Sequence, residues 1–259
     1  MLNREIYTTD PAQRRLLNEG VATVNDDASE QALQVLRYEL ETFVCDGQYA
    51  AGMKDVLDTF LKNFNGVQQP GVWVSGFFGS GKSHLVKILR ALWLNVEFSD
   101  GATARGIAGL PDDINALFKE LSTAGKRHGG LFAASGTLGS SSRDKSVRLA
   151  LLSIILRAAG LPSQYPMARF VLWLKQEGIY QQVRQAVEAK GDSWEEELDN
   201  FYVAESLHEA LVEAKPRTFS SPMACAETLL QLYPNVNDVS TEAISVRKIN
   251  RINSSGYLY

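Results

Sequence analysis

Cysteine and histidine are scarce in this 259-residue sequence, which holds only Cys45, Cys225, His84, His128 and His208. The two cysteines stand far apart, with no CxxC pair and no Cys/His spacing, so neither a disulfide framework nor a zinc site is indicated. That usage fits a reducing compartment, and we expect a cytoplasmic protein. An excess of one charge is also lacking. Twenty-six basic residues against thirty acidic ones leave a net charge of −4. The whole chain therefore offers no electrostatic footprint of a nucleic-acid binder, although a local basic patch stays open. Long apolar runs are missing as well. No stretch reaches the roughly 18 uninterrupted apolar residues of a spanning helix, and the start, MLNREIYTTDPAQRRLL, has no apolar targeting core. No membrane partner is expected.

What is present suffices for a buried core, since 45% of the residues are apolar. Leu33, Leu36, Leu40 and Phe43 recur at helical spacing after Asp27, with Glu30 placed as the far half of a capping box. Met53, Val56, Leu57, Phe60, Leu61 and Phe64 form a second apolar stripe, and Gly66 stands where that helix should stop. GVWVS, residues 71–75, reads as a short buried strand, and GGLFAASG, residues 129–136, as another. Helices are expected over SHLVKILRALWLN and PDDINALFKELS, and KSVRLALLSIILRAAG as a core helix packed on several sides. The remainder is helical by period, including one helix over SWEEELDNFYVAESLHEALVEAKP that Ser193 and Glu196 open as a capping box. Three segments result: a helical preface over 1–66, a nucleotide-binding domain over 67–239, and an irregular or disordered tail over 240–259.

The chemistry is concentrated in PGVWVSGFFGSGKSHLVKIL, residues 70–89. Gly76, Gly81, Lys82 and Ser83 stand in the order GxxxxGK followed by Ser or Thr. Phosphates need donors at close range, and small residues such as Gly79, Ser80 and Gly81 let backbone N–H groups turn inward. The helix beginning near Lys82 aims its positive end at the same spot. Lys82 can reach the terminal phosphates and balance transition-state charge, and the Ser83 hydroxyl can ligate Mg²⁺. The cofactor-binding set is thus Gly76, Phe77, Phe78, Gly79, Ser80, Gly81, Lys82, Ser83 and His84, with ATP and Mg²⁺ as the expected cofactors. Phe77 and Phe78 are bulky for such a loop, and we expect them to pack on neighbouring helices. A strand before the loop and a helix after it define the expected fold class, an α/β P-loop NTPase, incomplete and helix-rich.

A second acidic element is what the sequence lacks. Hydrolysis needs an Asp at the end of another apolar strand to hold Mg²⁺, with an acid beside it to polarise water. The nearest candidate is RFVLWLKQEG, in which Lys175 and Gln176 intervene before Glu177, and which equally fits a helix opened by Pro166. Glu177 is therefore the candidate catalytic acid. Each histidine lacks metal spacing and is read as a surface or helix-packing residue. Arg143 and Lys145 are candidate γ-phosphate sensors.

QPGVWVSGFFGSGKSHLVKILRALW, preceded by YAAGMKDVLDTFLKNF and REIYTTDPAQRRL, resembles the start of the large P-loop ATPase of bacteriophage-exclusion (BREX) systems, the BrxC/PglY family. The resemblance implies an AAA+-like module in which Gly76, Gly79, Gly81, Lys82 and Ser83 hold ATP phosphates and Mg²⁺. It implies other BREX proteins as partners, a DNA methyltransferase among them, with DNA contacts in regions outside this sequence and a homo-oligomer as one arrangement. Members of that family are several-fold longer, and their acidic strand should follow near where this sequence stops. The expected function is an ATP-binding module of such a complex, holding nucleotide with little turnover by itself. A non-hydrolysing, nucleotide-dependent partner-binding module is the alternative. A small-molecule kinase would share the phosphate loop but needs a basic lid, and no Arg-rich lid segment stands out.

Overall fold

The structure, a computed structural model, describes residues 17, 22, 24, 29–66, 71–138 and 146–240. The chain divides into two compact units, Met1–Ala133 and Ala134–Tyr259. The tail over 241–259, together with Asp27, Arg143 and Lys145, lies outside the described residues.

The first unit contains helices α1 (Glu30–Glu41), α2 (Gly47–Lys62), α3 (Lys82–Leu94), α4 (Ala104–Ile107) and α5 (Asp112–Lys126). Its core is built by the stripes that helical periodicity predicts: Leu36 and Leu40, Met53 and Leu57, Ile88 and Leu92, Ile114, Phe118 and Leu121 are all buried. α2 packs on α5, while α1 lies against α3 and α4. The α1 cap is Ser29, whose Oγ accepts from Ala32 N–H at 3.3 Å, and Glu30 is already the first helical residue. α2 ends at Lys62, short of Gly66: the Asn63 side-chain amide joins the Thr59 carbonyl, and the next N–H, of Phe64, turns to Leu61 at 3.2 Å instead of continuing the i→i−4 pattern. α3 ends where Asn95 takes the left-handed conformation (φ 51°), a role that Asn tolerates better than most residues.

The start of α4 supplies a staple that sequence reasoning missed. Arg105 donates from Nε to the Leu92 carbonyl (2.6 Å), from Nη2 to Trp93 (2.9 Å), and from Nη1 to Phe118 (2.9 Å) and Ser122 Oγ (2.6 Å). One guanidinium thus closes the C-terminal carbonyls of α3 onto the middle of α5, with its charge 4.8 Å from the Phe118 ring centre.

The expected α/β fold is overturned: among the described residues there is no strand. Residues 71–77 have no regular structure, and Val72, Trp73 and Val74 are 56%, 89% and 40% exposed. GGLFAASG is likewise irregular, and the border between the two units falls inside it. Among the described residues, the β-pairing is an isolated antiparallel bridge between Glu97 and Thr103. The physical reason is that β-rich composition makes a segment suited to a ladder but does not supply one. A strand needs a neighbouring strand to share its N–H and C=O groups in a ladder, and neither run forms one.

The second unit is helical: α6 (Val147–Ala158), α7 (Tyr165–Gln176), α8 (Tyr180–Ala189), α9 (Trp194–Asp199), α10 (Glu205–Ala214) and α11 (Pro222–Leu232). α10 packs against α8 and α11, and α6 against α7. Phe170, Phe201 and Phe219 fill the centre, with the Phe170 and Phe201 rings edge to face at 4.8 Å. α6 departs from expectation, since Leu149, Leu152 and Leu156 are buried while Val147 and Leu151 remain exposed on its other side. The single helix expected after Ser193 is two. Ser193 does cap α9, accepting from Glu196 N–H at 3.4 Å, but the chain then breaks so that Phe201 turns fully inward. Glu197 on α9 accepts the Leu207 N–H at 2.8 Å, capping α10, whose own N-cap Ala204 has no side-chain acceptor.

Candidate functional site

The phosphate loop follows from its glycines. Gly79 and Gly81 adopt φ values of 82° and 80°, the left-handed region where a Cβ is disfavoured. The Ser80 N–H bonds the Phe77 carbonyl at 3.1 Å and closes the turn. A Cβ on Gly76 would lie 2.7 Å from Ser80 Oγ, so a side chain there would turn that hydroxyl away. The chain passes directly from Gly81 into α3, and the first intrahelical bond is Leu85 N–H to the Gly81 carbonyl, at 2.8 Å. The N–H groups of Lys82, Ser83 and His84 therefore stand ahead of the helical ladder, with no side-chain cap, at the positive end of a 13-residue helix.

Lys82 bends back over this turn. Its Nζ donates to the Phe77 carbonyl at 2.7 Å and the Gly76 carbonyl at 3.0 Å, with Ser80 Oγ at 3.5 Å. The ammonium group is thus held by neutral acceptors over the loop. Ser83 is exposed in the first turn of α3. The backbone donors, clear glycine positions and Lys82 fit a chain of phosphates. For Mg²⁺ the described protein donor is the Ser83 hydroxyl alone, so phosphate oxygens and water would complete its shell. Among the described residues no group of three or more His, Cys, Asp or Glu gathers as a metal site.

The other predicted residues are placed differently. Phe77 and Phe78 do not pack on helices: they are 90% and 101% exposed, because the tight turn carries them outward. His84 turns away from solvent and is half-buried, its ring edge-on to Phe43 at 5.8 Å. Burial holds its pKa below the ordinary histidine value, Lys87 acts in the same direction, and Glu39 opposes them. Glu177 stands in the second unit at the C-cap of α7, a helix rather than a metal strand, and its carboxylate is paired with the Lys215 ammonium. Sequence reasoning missed the backing of α3 altogether. Glu39 on α1 is 2% exposed and pairs with Lys87 of α3 at 2.6 Å, and Phe43 closes the same side. A charged residue inside an apolar stripe was the available signal at Glu39.

A further concavity, of about 300 Å³, lies in the second unit beside α6 and α7, with Ser153, Arg157, Gln164, Tyr165 and Asn235 in its wall. Among the described residues of its lining, Arg157 is the charged group. Among the described residues no helix is long and apolar enough to cross a membrane. No protein-family model matches the chain, and no solved structure matches it either.

Proposed function

We propose that this chain holds ATP by its phosphates in the loop Gly76–Ser83, with Mg²⁺ on the Ser83 hydroxyl. One observation carries the reading: two left-handed glycines lead straight into a helix whose first N–H groups are uncommitted, under a lysine ammonium held only by neutral acceptors. A phosphate oxygen is charged and is a stronger acceptor than the carbonyls of Gly76 and Phe77, so Lys82 gains by exchanging them for it. The proposal rests on the loop and α3 and requires no sheet.

The role is holding rather than turnover. Glu177, the one candidate acid, is committed to Lys215 at a helix end. On the resemblance over residues 69–93, we propose that this nucleotide-holding part works in the cytoplasm within a BREX phage-defence complex, beside a DNA methyltransferase and other subunits. A second reading, nucleotide-dependent docking of a partner, is favoured by the exposed Trp73, Phe77 and Phe78 next to the site.

The test is calorimetry with ATP and Mg²⁺ on the wild type and Lys82→Ala, with phosphate release followed in parallel. Wild type should bind, the variant should bind about 10- to 100-fold more weakly, and neither should release phosphate above background. Absence of binding by the wild type overturns the reading, and rapid phosphate release overturns the holding role.

A further inference from the structure

We infer that Tyr49 is a positioning residue for the phosphate loop, fixing the Ser80–Gly81 peptide from the α2 side so that its N–H is presented to phosphate. The inference rests on the nucleotide reading above for its consequence, but its geometry stands independently.

Tyr49 is the third residue of α2, and its phenol donates to the Ser80 carbonyl at 2.8 Å. The Ser80–Gly81 peptide turns about ψ of Ser80 and φ of Gly81, and the second of these belongs to a left-handed glycine without a Cβ to restrain it. In a planar trans peptide the carbonyl and the following N–H point in opposite directions. Anchoring the Ser80 oxygen toward α2 therefore turns the Gly81 N–H away from α2. Without that anchor, rotation of this peptide is opposed by a Cβ on the Ser80 side only.

The phenol also accounts for Gly81 itself. A Cβ there would stand 2.0 Å from Tyr49 Oη and 3.2 Å from Cζ, so any side chain at 81 would expel Tyr49 in addition to opposing φ 80°. The tyrosine ring is in turn held edge-on by Phe43, at 6.2 Å and 87°. Phe43 is buried and makes a second edge contact with His84 in the first turn of α3. The Ser80 carbonyl and the start of α3 are thus referred to the same buried ring, which lets α1 and α2 set the mutual placement of the loop and the helix end.

Removing the hydroxyl should enlarge the set of loop conformations and lower the fraction competent to bind, which weakens apparent affinity by that fraction. The variant is Tyr49→Phe, which keeps the ring on Phe43. Three readouts are taken: thermal unfolding, hydrogen exchange of the segment 77–85 without nucleotide, and ATP calorimetry. The expected result is a midpoint within about 2 °C of wild type, exchange in 77–85 faster by roughly threefold or more, and ATP affinity lower by about 3- to 10-fold. Unchanged exchange in 77–85 overturns the inference, as does a lowered midpoint with faster exchange throughout the first unit. Faster loop exchange in a protein whose wild type binds no ATP overturns the nucleotide reading and leaves the anchoring role standing. Wild-type binding with unchanged affinity in Tyr49→Phe overturns the positioning of phosphate.

Discussion

Lys87 Nζ stands 2.6 Å from Oε2 of Glu39, so the helix that begins at the phosphate loop is tied to α1 by an ion pair whose acid is almost wholly buried. Removing only the lysine leaves a buried, uncompensated carboxylate, and that is the costly change. Lys87→Met should destabilise by about 3 kcal/mol, while Lys87→Met combined with Glu39→Gln should come back to within about 1 kcal/mol of wild type. Urea unfolding of the three proteins checks this, and a single-variant loss under about 1 kcal/mol would refute the pairing.

The half-buried His84 predicts a pH dependence. Its folded pKa lies below the ordinary value, chiefly through burial, so below about pH 6.5 the unfolded chain takes up a proton that the folded chain does not. Stability should be level above about pH 7 and should fall with decreasing pH until the lower folded pKa is reached, with a slope of at most about 1.4 kcal/mol per pH unit. In His84→Gln that component should vanish. Unfolding midpoints of the two proteins between pH 5 and pH 8 would contradict the argument by running parallel.

Arg105 should be a second sensitive cation of the first unit. Lysine at this position can reach one or two of the four acceptors but cannot span α3 and α5 with a planar fork. Arg105→Lys should cost about 2 kcal/mol, and Arg105→Ala more, since the carbonyls of Leu92, Trp93 and Phe118 lose the guanidinium, although Leu92 keeps the Asn95 N–H. Thermal unfolding decides, and a shift of under about 1 °C in Arg105→Ala would show that water replaces the guanidinium freely.

The two thiols should be inert in the folded protein. Burial pushes the Cys225 thiol up to about 12 and raises Cys45 as well, where Asp113 and Asp46 add to the effect. Because the thiolate is the reacting form, a chromogenic disulfide reagent at pH 8 should label neither cysteine within minutes and both in denaturant. Rapid labelling of either in the native protein would show that its burial is incomplete.

Local chemistry was legible where one segment suffices to express it. Ser193 caps its helix, Asp112 and Asp113 begin α5, and Pro166 opens α7, which settles RFVLWLKQEG as helix. The glycines of the phosphate loop also take the backbone values that their type invites. What failed needed a partner from elsewhere in the chain. The break between α9 and α10 could not be read from periodicity, because it depends on Phe201 reaching the core and on Glu197 capping Leu207 from another helix. Phe77 and Phe78 were expected to pack because they are large and apolar, yet the turn that the glycines impose carries both outward.

By itself, the sequence determined that most of the chain is helical, the Ser193 cap, the buried stripes of the first unit and the tight turn before Lys82, since periodicity, side-chain capping and glycine torsions act within a few residues. Only the tertiary structure decided that GVWVS and GGLFAASG remain without a ladder, that Glu39 meets Lys87, and that Tyr49 lies behind Ser80. Each of these depends on a group contributed by a distant part of the chain. A short segment carries the capacity for such a contact, but the contact exists only where the packed helices bring its partner within reach.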